Sequence, residues 1–88
     1  MAAFDAEGPA RLSEQVALRD EPFGALAYHY GTRRLVFLKS RTLVELCRAL
    51  PGYGSISEAV GSLVAPDERA AYLSALRRLF DAGVLDAA

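Results

Sequence analysis

Apolar positions change period part-way along the chain: between Gln15 and Lys39 they alternate, and beyond Arg41 they recur every three or four residues. The first pattern predicts strands and the second helices. Gln15-Val16-Ala17-Leu18-Arg19 predicts a short strand with Val16 and Leu18 inward. Asp20-Glu21-Pro22 is a turn signal. Phe23 to Tyr30 then predicts a second strand and Arg33 to Lys39 a third. Between them stands Gly31-Thr32, glycine first, as a type II′ hairpin turn requires. Such a turn pairs Tyr30 with Arg33, Tyr28 with Leu35, Leu26 with Phe37, Ala27 with Val36 and Ala25 with Leu38. One hairpin face is then large and apolar, with Leu26, Tyr28, Tyr30, Leu35 and Phe37. The other is smaller, although Val36 and Leu38 keep the third strand apolar on both sides. Sequential strands usually neighbour one another, so a three-stranded meander leaves the third strand on an edge.

The first helix is expected near Ser40–Thr42, where Thr42 and Glu45 have capping-box spacing and Leu43, Leu46, Cys47 and Leu50 share a face. Pro51-Gly52-Tyr53-Gly54 stops it. Ser55 and Glu58 repeat the capping spacing and open a second helix that buries Ile56, Ala59, Val60 and Leu63. A third starts at Pro66 or Asp67, runs through Leu79 and Phe80, and ends at Gly83, with Val84 and Leu85 folding back as an apolar cap. Residues 1–12 show no period and are expected to be a flexible tail, leaving 13–88 as the domain. The predicted class is α+β, three antiparallel strands followed by three helices, an order that resembles a winged helix-turn-helix.

A length of 88 residues allows one hydrophobic core. The net charge of −1 argues against a protein living on nucleic acid or an anionic membrane. Its distribution says more: residues 1–21 carry −3, residues 22–48 carry +4 and the remainder −2. The basic zone coincides with the third strand and the first predicted helix, which suits an acidic partner. Cys47 is the single cysteine, so neither an intrachain disulfide nor a Cys-rich metal site is expected. The N-terminus has no basic region leading into an apolar run, and no segment has transmembrane length, so a cytoplasmic protein is expected.

Catalytic chemistry finds no footing. His29 is the only histidine, no nucleophile is spaced to use it, and the register sets it opposite Arg34. Cys47 sits in a leucine stripe as a small hydrophobe. Two binding readings remain. A winged helix often reads DNA, but here the would-be recognition helix opens with Asp67-Glu68, which phosphates repel. The edge strand, by contrast, is apolar and free of proline over Leu35-Val36-Phe37-Leu38, so it can accept another chain's backbone. Its flanking Arg33, Arg34 and Lys39 serve either to recruit an acidic chain or simply to blunt the edge. The same edge also allows dimerisation by strand pairing, with a monomer the favoured state. On the third helix Tyr72, Leu73, Leu76, Leu79 and Phe80 form a broad apolar stripe interrupted by Arg69. That cation is placed either by a first turn overhanging the core or by a carboxylate on a bound peptide.

Further residues carry a resemblance. Thr42-Leu43, Glu45-Leu46-Cys47, Ser55-Ile56-Ser57-Glu58-Ala59-Val60, Leu63, Tyr72-Leu73, Leu76, Leu79 and Gly83-Val84-Leu85 resemble the PqqD-like family of peptide-recognition domains. Within it, Val16-Ala17-Leu18-Arg19, Glu21-Pro22-Phe23-Gly24-Ala25-Leu26, Tyr28-His29-Tyr30-Gly31-Thr32-Arg33 and Phe37-Leu38-Lys39 are similar to the peptide chaperones of the mycofactocin system. The likeness runs from about Leu12 to Leu85 and is most specific in the hairpin. It implies a non-catalytic chaperone that binds the leader of a ribosomally made precursor peptide as an added strand and presents it to a radical SAM maturase. Carried over, the leader pairs with Arg34 to Leu38 and lies against Leu73, Leu76, Arg77 and Phe80; Arg33 and Arg69, singled out above on the strand margin and the helix stripe, join them as candidate peptide contacts. The iron–sulfur chemistry then belongs to the partner, and this chain needs no cofactor.

Overall fold

The computed structural model describes residues 3–88. Strands β2 (Val16–Glu21), β3 (Gly24–His29) and β4 (Arg34–Leu38) form an antiparallel meander in the order β2-β3-β4. The β3–β4 register is the expected one, with Ala25 opposite Leu38, Leu26 opposite Phe37, Ala27 opposite Val36 and Tyr28 opposite Leu35. The smaller face is the one that meets the core: Ala25, Ala27 and Leu38 are buried, and Val16, Leu18 and Val36 pack against them. Small side chains let the helices approach the sheet closely. Gly24 lies against the backbone leaving β4, where its φ of 150° and the Leu38 carbonyl oxygen leave no room for a Cβ.

The turn differs from the expected type II′. β3 ends at His29, and the chain crosses in four residues, Tyr30 to Arg33. Arg33, not Gly31, takes the left-handed conformation, with φ of 60°. The His29 side chain explains the change. Its Nδ1 accepts hydrogen bonds from the Gly31 and Thr32 amides, both at 3.1 Å. The Arg33 amide donates to the His29 carbonyl at 2.7 Å, and the Tyr30 amide to the Gln15 carbonyl at 2.7 Å. The expected Tyr30–Arg33 pair is therefore replaced by an imidazole-centred loop.

Helix α1 (Arg41–Ala49) is capped by Ser40, whose Oγ accepts from the Leu43 amide at 3.2 Å. Thr42 thus stands inside the helix, and the expected Thr42–Glu45 box is displaced by a better-placed hydroxyl. Leu43, Val44, Leu46, Cys47 and Leu50 are buried. Helix α2 (Ile56–Leu63) has the expected cap, Ser55 Oγ accepting from the Glu58 amide at 3.0 Å. Glu58 reaches back to the Gly54 amide at 3.2 Å, one residue beyond the usual box. Leu63, expected to be buried, is exposed at the last position of α2. A single 3₁₀ turn, Pro66–Glu68, leads into α3 (Arg69–Asp81). Gly83, at φ 81°, closes α3, with the Gly83 amide on the Phe80 carbonyl and the Val84 amide on that of Leu79. Val84 and Leu85 are buried, as the apolar cap expectation requires.

The expected tail is largely structured. Ala10–Leu12 forms a strand, β1, pairing antiparallel with β5 (Leu85–Ala87). Ala10 is buried, Ser13 donates its amide to Val84, and the Gly8 and Ala6 carbonyls accept the Ile56 and Ser57 amides at the start of α2. Phe4 stacks edge to face on Phe80 at 5.7 Å. These backbone partners carry no hydrophobic period, which is why residues 3–12 read as unstructured. Met1 and Ala2, also assigned to the tail, lie outside the described residues. Three strands followed by three helices make the α+β class observed, with an added terminal β-ribbon, and the order is compatible with a winged helix-turn-helix.

Candidate peptide-binding site

Strand β4 pairs only with β3, so its other edge is open among the described residues. Along a β-strand every second backbone amide and carbonyl points to the unpaired side, and there they remain available to another chain. The ordered N-terminal segment does not cover this edge. Its partners are β5, α2 and Phe80. The sheet's second edge, β2, is charged at Arg19, Asp20 and Glu21, and Asp20 holds Arg48 at 3.0 Å.

At the Phe37 end of β4 lies an open groove of about 430 Å³. Phe37, Lys39, Ser40 and Leu43 form one wall, and α3 forms the other with Ala71, Tyr72, Ala75 and Arg78, above Glu68 at its foot. Ala71 and Ala75 are one helical turn apart, so they lower that wall and let a chain lie close to the α3 backbone. The Ser40 and Tyr72 hydroxyls meet at 2.9 Å across the floor. Lys39 and Arg78 outnumber Glu68, which suits an acidic occupant.

The structure separates the residues expected at this site. Leu35 and Phe37 are 58% and 57% exposed, on the sheet face away from the core, while Val36 is half-buried and Leu38 fully buried on the other. Arg33 and Arg34 sit exposed at the turn end of β4. On α3 the expected contacts face elsewhere. Arg69, Leu73, Leu76, Arg77 and Phe80 lie roughly 100–160° around the helix from the groove wall. Leu76 is in the core, Leu73 packs against it, and Phe80 is taken by Phe4. Arg69 is spent on α2: its Nε donates to the Val64 carbonyl at 2.9 Å and its Nη2 to the Gly61 carbonyl at 3.0 Å. These are the orphan carbonyls at the end of that helix, so the cation interrupting the stripe is a C-terminal cap. Sequence reasoning missed Ala71, Tyr72, Ala75 and Arg78 as a group. Their spacing of three to four residues was the available signal, hidden because the larger side chains of the stripe dominate the pattern.

No cluster of three or more His, Cys, Asp or Glu side chains suited to a metal occurs among the described residues. Cys47 is fully buried, and loss of hydration pushes its thiol from 9.0 up to about 12, only partly offset by Arg48. No helix among the described residues is long and apolar enough to cross a membrane. Asp67 and Glu68 are exposed where a recognition helix would approach phosphates.

A family model described as the peptide chaperone MftB family matches residues 9–86. The chain belongs to the peptide chaperone MftB family. Curated relatives carry that name. The peptide chaperone MftB of Mycolicibacterium smegmatis is 47% identical over 83 residues, covering 93% of this chain and 81% of the relative. That of Mycobacterium tuberculosis is 45% identical over 83 residues, covering 93% and 76%. That of Mycobacterium ulcerans is 48% identical over 75 residues, covering 84% and 69%. The MftB match begins at Pro9, so it takes in β1 as well as the sheet and helices. No solved structure matches the chain.

Proposed function

We propose that the chain is a non-catalytic chaperone that holds the leader of a ribosomally made precursor peptide, the mycofactocin precursor, and hands it to a radical SAM maturase. The leader adds as a strand to β4, pairing with the backbone of Arg34 to Leu38. Its side chains on one side fall into the groove against Tyr72, Ala75 and Leu43, with Arg78 placed for its carboxylates. The observation that carries this is the unpaired β4 edge with an open groove at its Phe37 end, whose lining holds two cations, Lys39 and Arg78, against one carboxylate, Glu68. Family membership supports the peptide as the cargo.

The mode fits a carrier. Strand addition draws affinity from backbone hydrogen bonds, and a disordered leader loses about 2–5 kcal/mol of its gross interaction energy on ordering. Binding is thus specific in register yet reversible. Amide hydrogen exchange with and without a synthetic leader tests it. Added protection is expected on Arg34–Leu38, and protection confined to α2 or β2 would sink the reading.

A further inference from the structure

Among the described residues, nothing packs on the outer face of the β2-β3-β4 sheet. Phe23, Tyr30, Leu35 and Phe37 stand on it at 43%, 58%, 58% and 57% exposure. They are not loose side chains: Phe23 meets Phe37 edge to face at 6.1 Å, and Tyr30 meets Tyr28 at 5.4 Å. Two aromatic pairs with Leu35 on one uncovered sheet face mark an interaction site.

We propose that this outer face docks a folded protein whose contact patch is apolar at its centre and acidic at its rim, namely the enzyme that receives the peptide. The enzyme's identity rests on the function proposed above; the surface and its chemistry do not. Backbone chemistry selects a folded occupant over a second stretch of peptide. The amides and carbonyls of β3 are spent on β2 and β4, so the face offers side chains alone. An extended peptide would leave its own polar backbone unmatched there, whereas a helix or sheet surface arrives already paired. Charge selects a different protein over a second copy. Arg33 and Lys39, at opposite ends of β4, have no carboxylate within ion-pair distance among the described residues. A two-fold dimer through this face would set the same basic rim against itself. Carboxylates on a partner would complement it.

Size adds a condition. Three strands about 4.8 Å apart and six residues long span roughly 300 Å². A stable interface takes about 800 Å² per partner. A leader strand on β4 widens the sheet, and its alternate side chains stand beside Leu35 and Phe37. One more strand adds roughly 100 Å², so the partner binds the loaded chain more tightly than the empty one and makes the rest of its contact beyond this face.

The test uses the full chain, a synthetic leader and the purified radical SAM maturase of the same system. Phe23 and Tyr30 line no part of the groove. In the double variant Phe23→Glu/Tyr30→Glu, leader affinity is expected to stay within twofold of the unsubstituted chain, while the loaded variant binds the enzyme at least tenfold more weakly. Phe23→Ser/Tyr30→Ser, a milder pair, is expected to shift both readings in the same direction and serves if the first does not fold. Enzyme binding that folded variants leave undiminished overturns the proposal. So does sedimentation showing a dimer that the variants split, which assigns the face to a second copy. Leader binding intact with enzyme binding insensitive strikes only the docking surface. A chain that binds no leader at all strikes the proposed function as well.

Discussion

The hydroxyls of Ser40 and Tyr72 meet at 2.9 Å, joining the start of α1 to the first half of α3 across the floor of the groove. The same Ser40 oxygen accepts the Leu43 amide, so one atom both caps a helix and ties two elements. Its position shortly after β4 fixes the groove wall relative to the open edge.

Removing that oxygen should cost more than removing its partner. Ser40→Ala loses the cap and the tie, so chemical denaturation is expected to show about 1–2 kcal/mol of destabilisation. Tyr72→Phe loses the tie alone and should cost about 0.5–1 kcal/mol. Equal losses would show that the tie, not the cap, is what Ser40 contributes.

Arg69 and Arg78 should separate stability from binding. Arg69→Ala breaks two hydrogen bonds to the end of α2 and is expected to destabilise the fold by about 1–2 kcal/mol. Its leader affinity should be unchanged. Arg78→Ala is expected to leave the melting temperature within a few degrees, about the scatter of an ordinary surface substitution. It should weaken leader binding several-fold, with a reduced salt dependence in titration calorimetry.

Proline replacements in the leader distinguish strand addition from side-chain docking. At positions paired with β4 each proline removes a ladder hydrogen bond and is expected to lower affinity about tenfold or more. Conservative side-chain swaps at the same positions should lower it only a few-fold. A leader that tolerates both equally does not bind as a strand.

Cys47 gives the fold an alkaline limit. Its folded pKa, raised by burial from 9.0 to about 12, means that above pH 9 the unfolded thiol ionises while the folded one stays neutral. The unfolded state then binds fewer protons, so stability is intact below pH 9 and falls as pH rises from 9 toward 12, by at most about 1.4 kcal/mol per unit. Unfolding titrations of the unsubstituted chain and Cys47→Ala at about pH 8 and about pH 10, on either side of the unfolded thiol's pKa, measure this. The difference between them should shrink or reverse at the higher pH. Iodoacetamide should label Cys47 only under unfolding conditions.

Local patterning carries far in this chain, and competition for partners sets where it stops. The strand alternation gives the β3–β4 register pair by pair, because a one-residue slip would turn Leu38 and Ala27 out of the core. The turn departs from expectation because glycine chemistry points to Gly31, whereas the deciding group is the ring nitrogen of His29. At α1 two hydroxyls compete for one cap, and Ser40 wins by lying just past the end of β4. The α3 stripe is legible as apolar, but its outer margin belongs to Phe4, far earlier in the chain in a segment without periodicity. Helix periodicity says which residues share a face, not which neighbour claims it. That is why the groove's alanine wall is not visible in advance, and why Arg69 stays open to two readings until its acceptors on α2 are in view.

The β1–β5 ribbon has a practical corollary. The Ala88 amide donates to the Pro9 carbonyl at 3.1 Å, so the C-terminus and the chain entering β1 lie at one corner of the molecule. That corner adjoins Phe80, on the side of α3 turned away from the groove. A tether joined at Ala88 would therefore attach on the side of α3 turned away from the groove. A circularly permuted version, rejoined across this corner and reopened elsewhere, would keep the β4 edge intact.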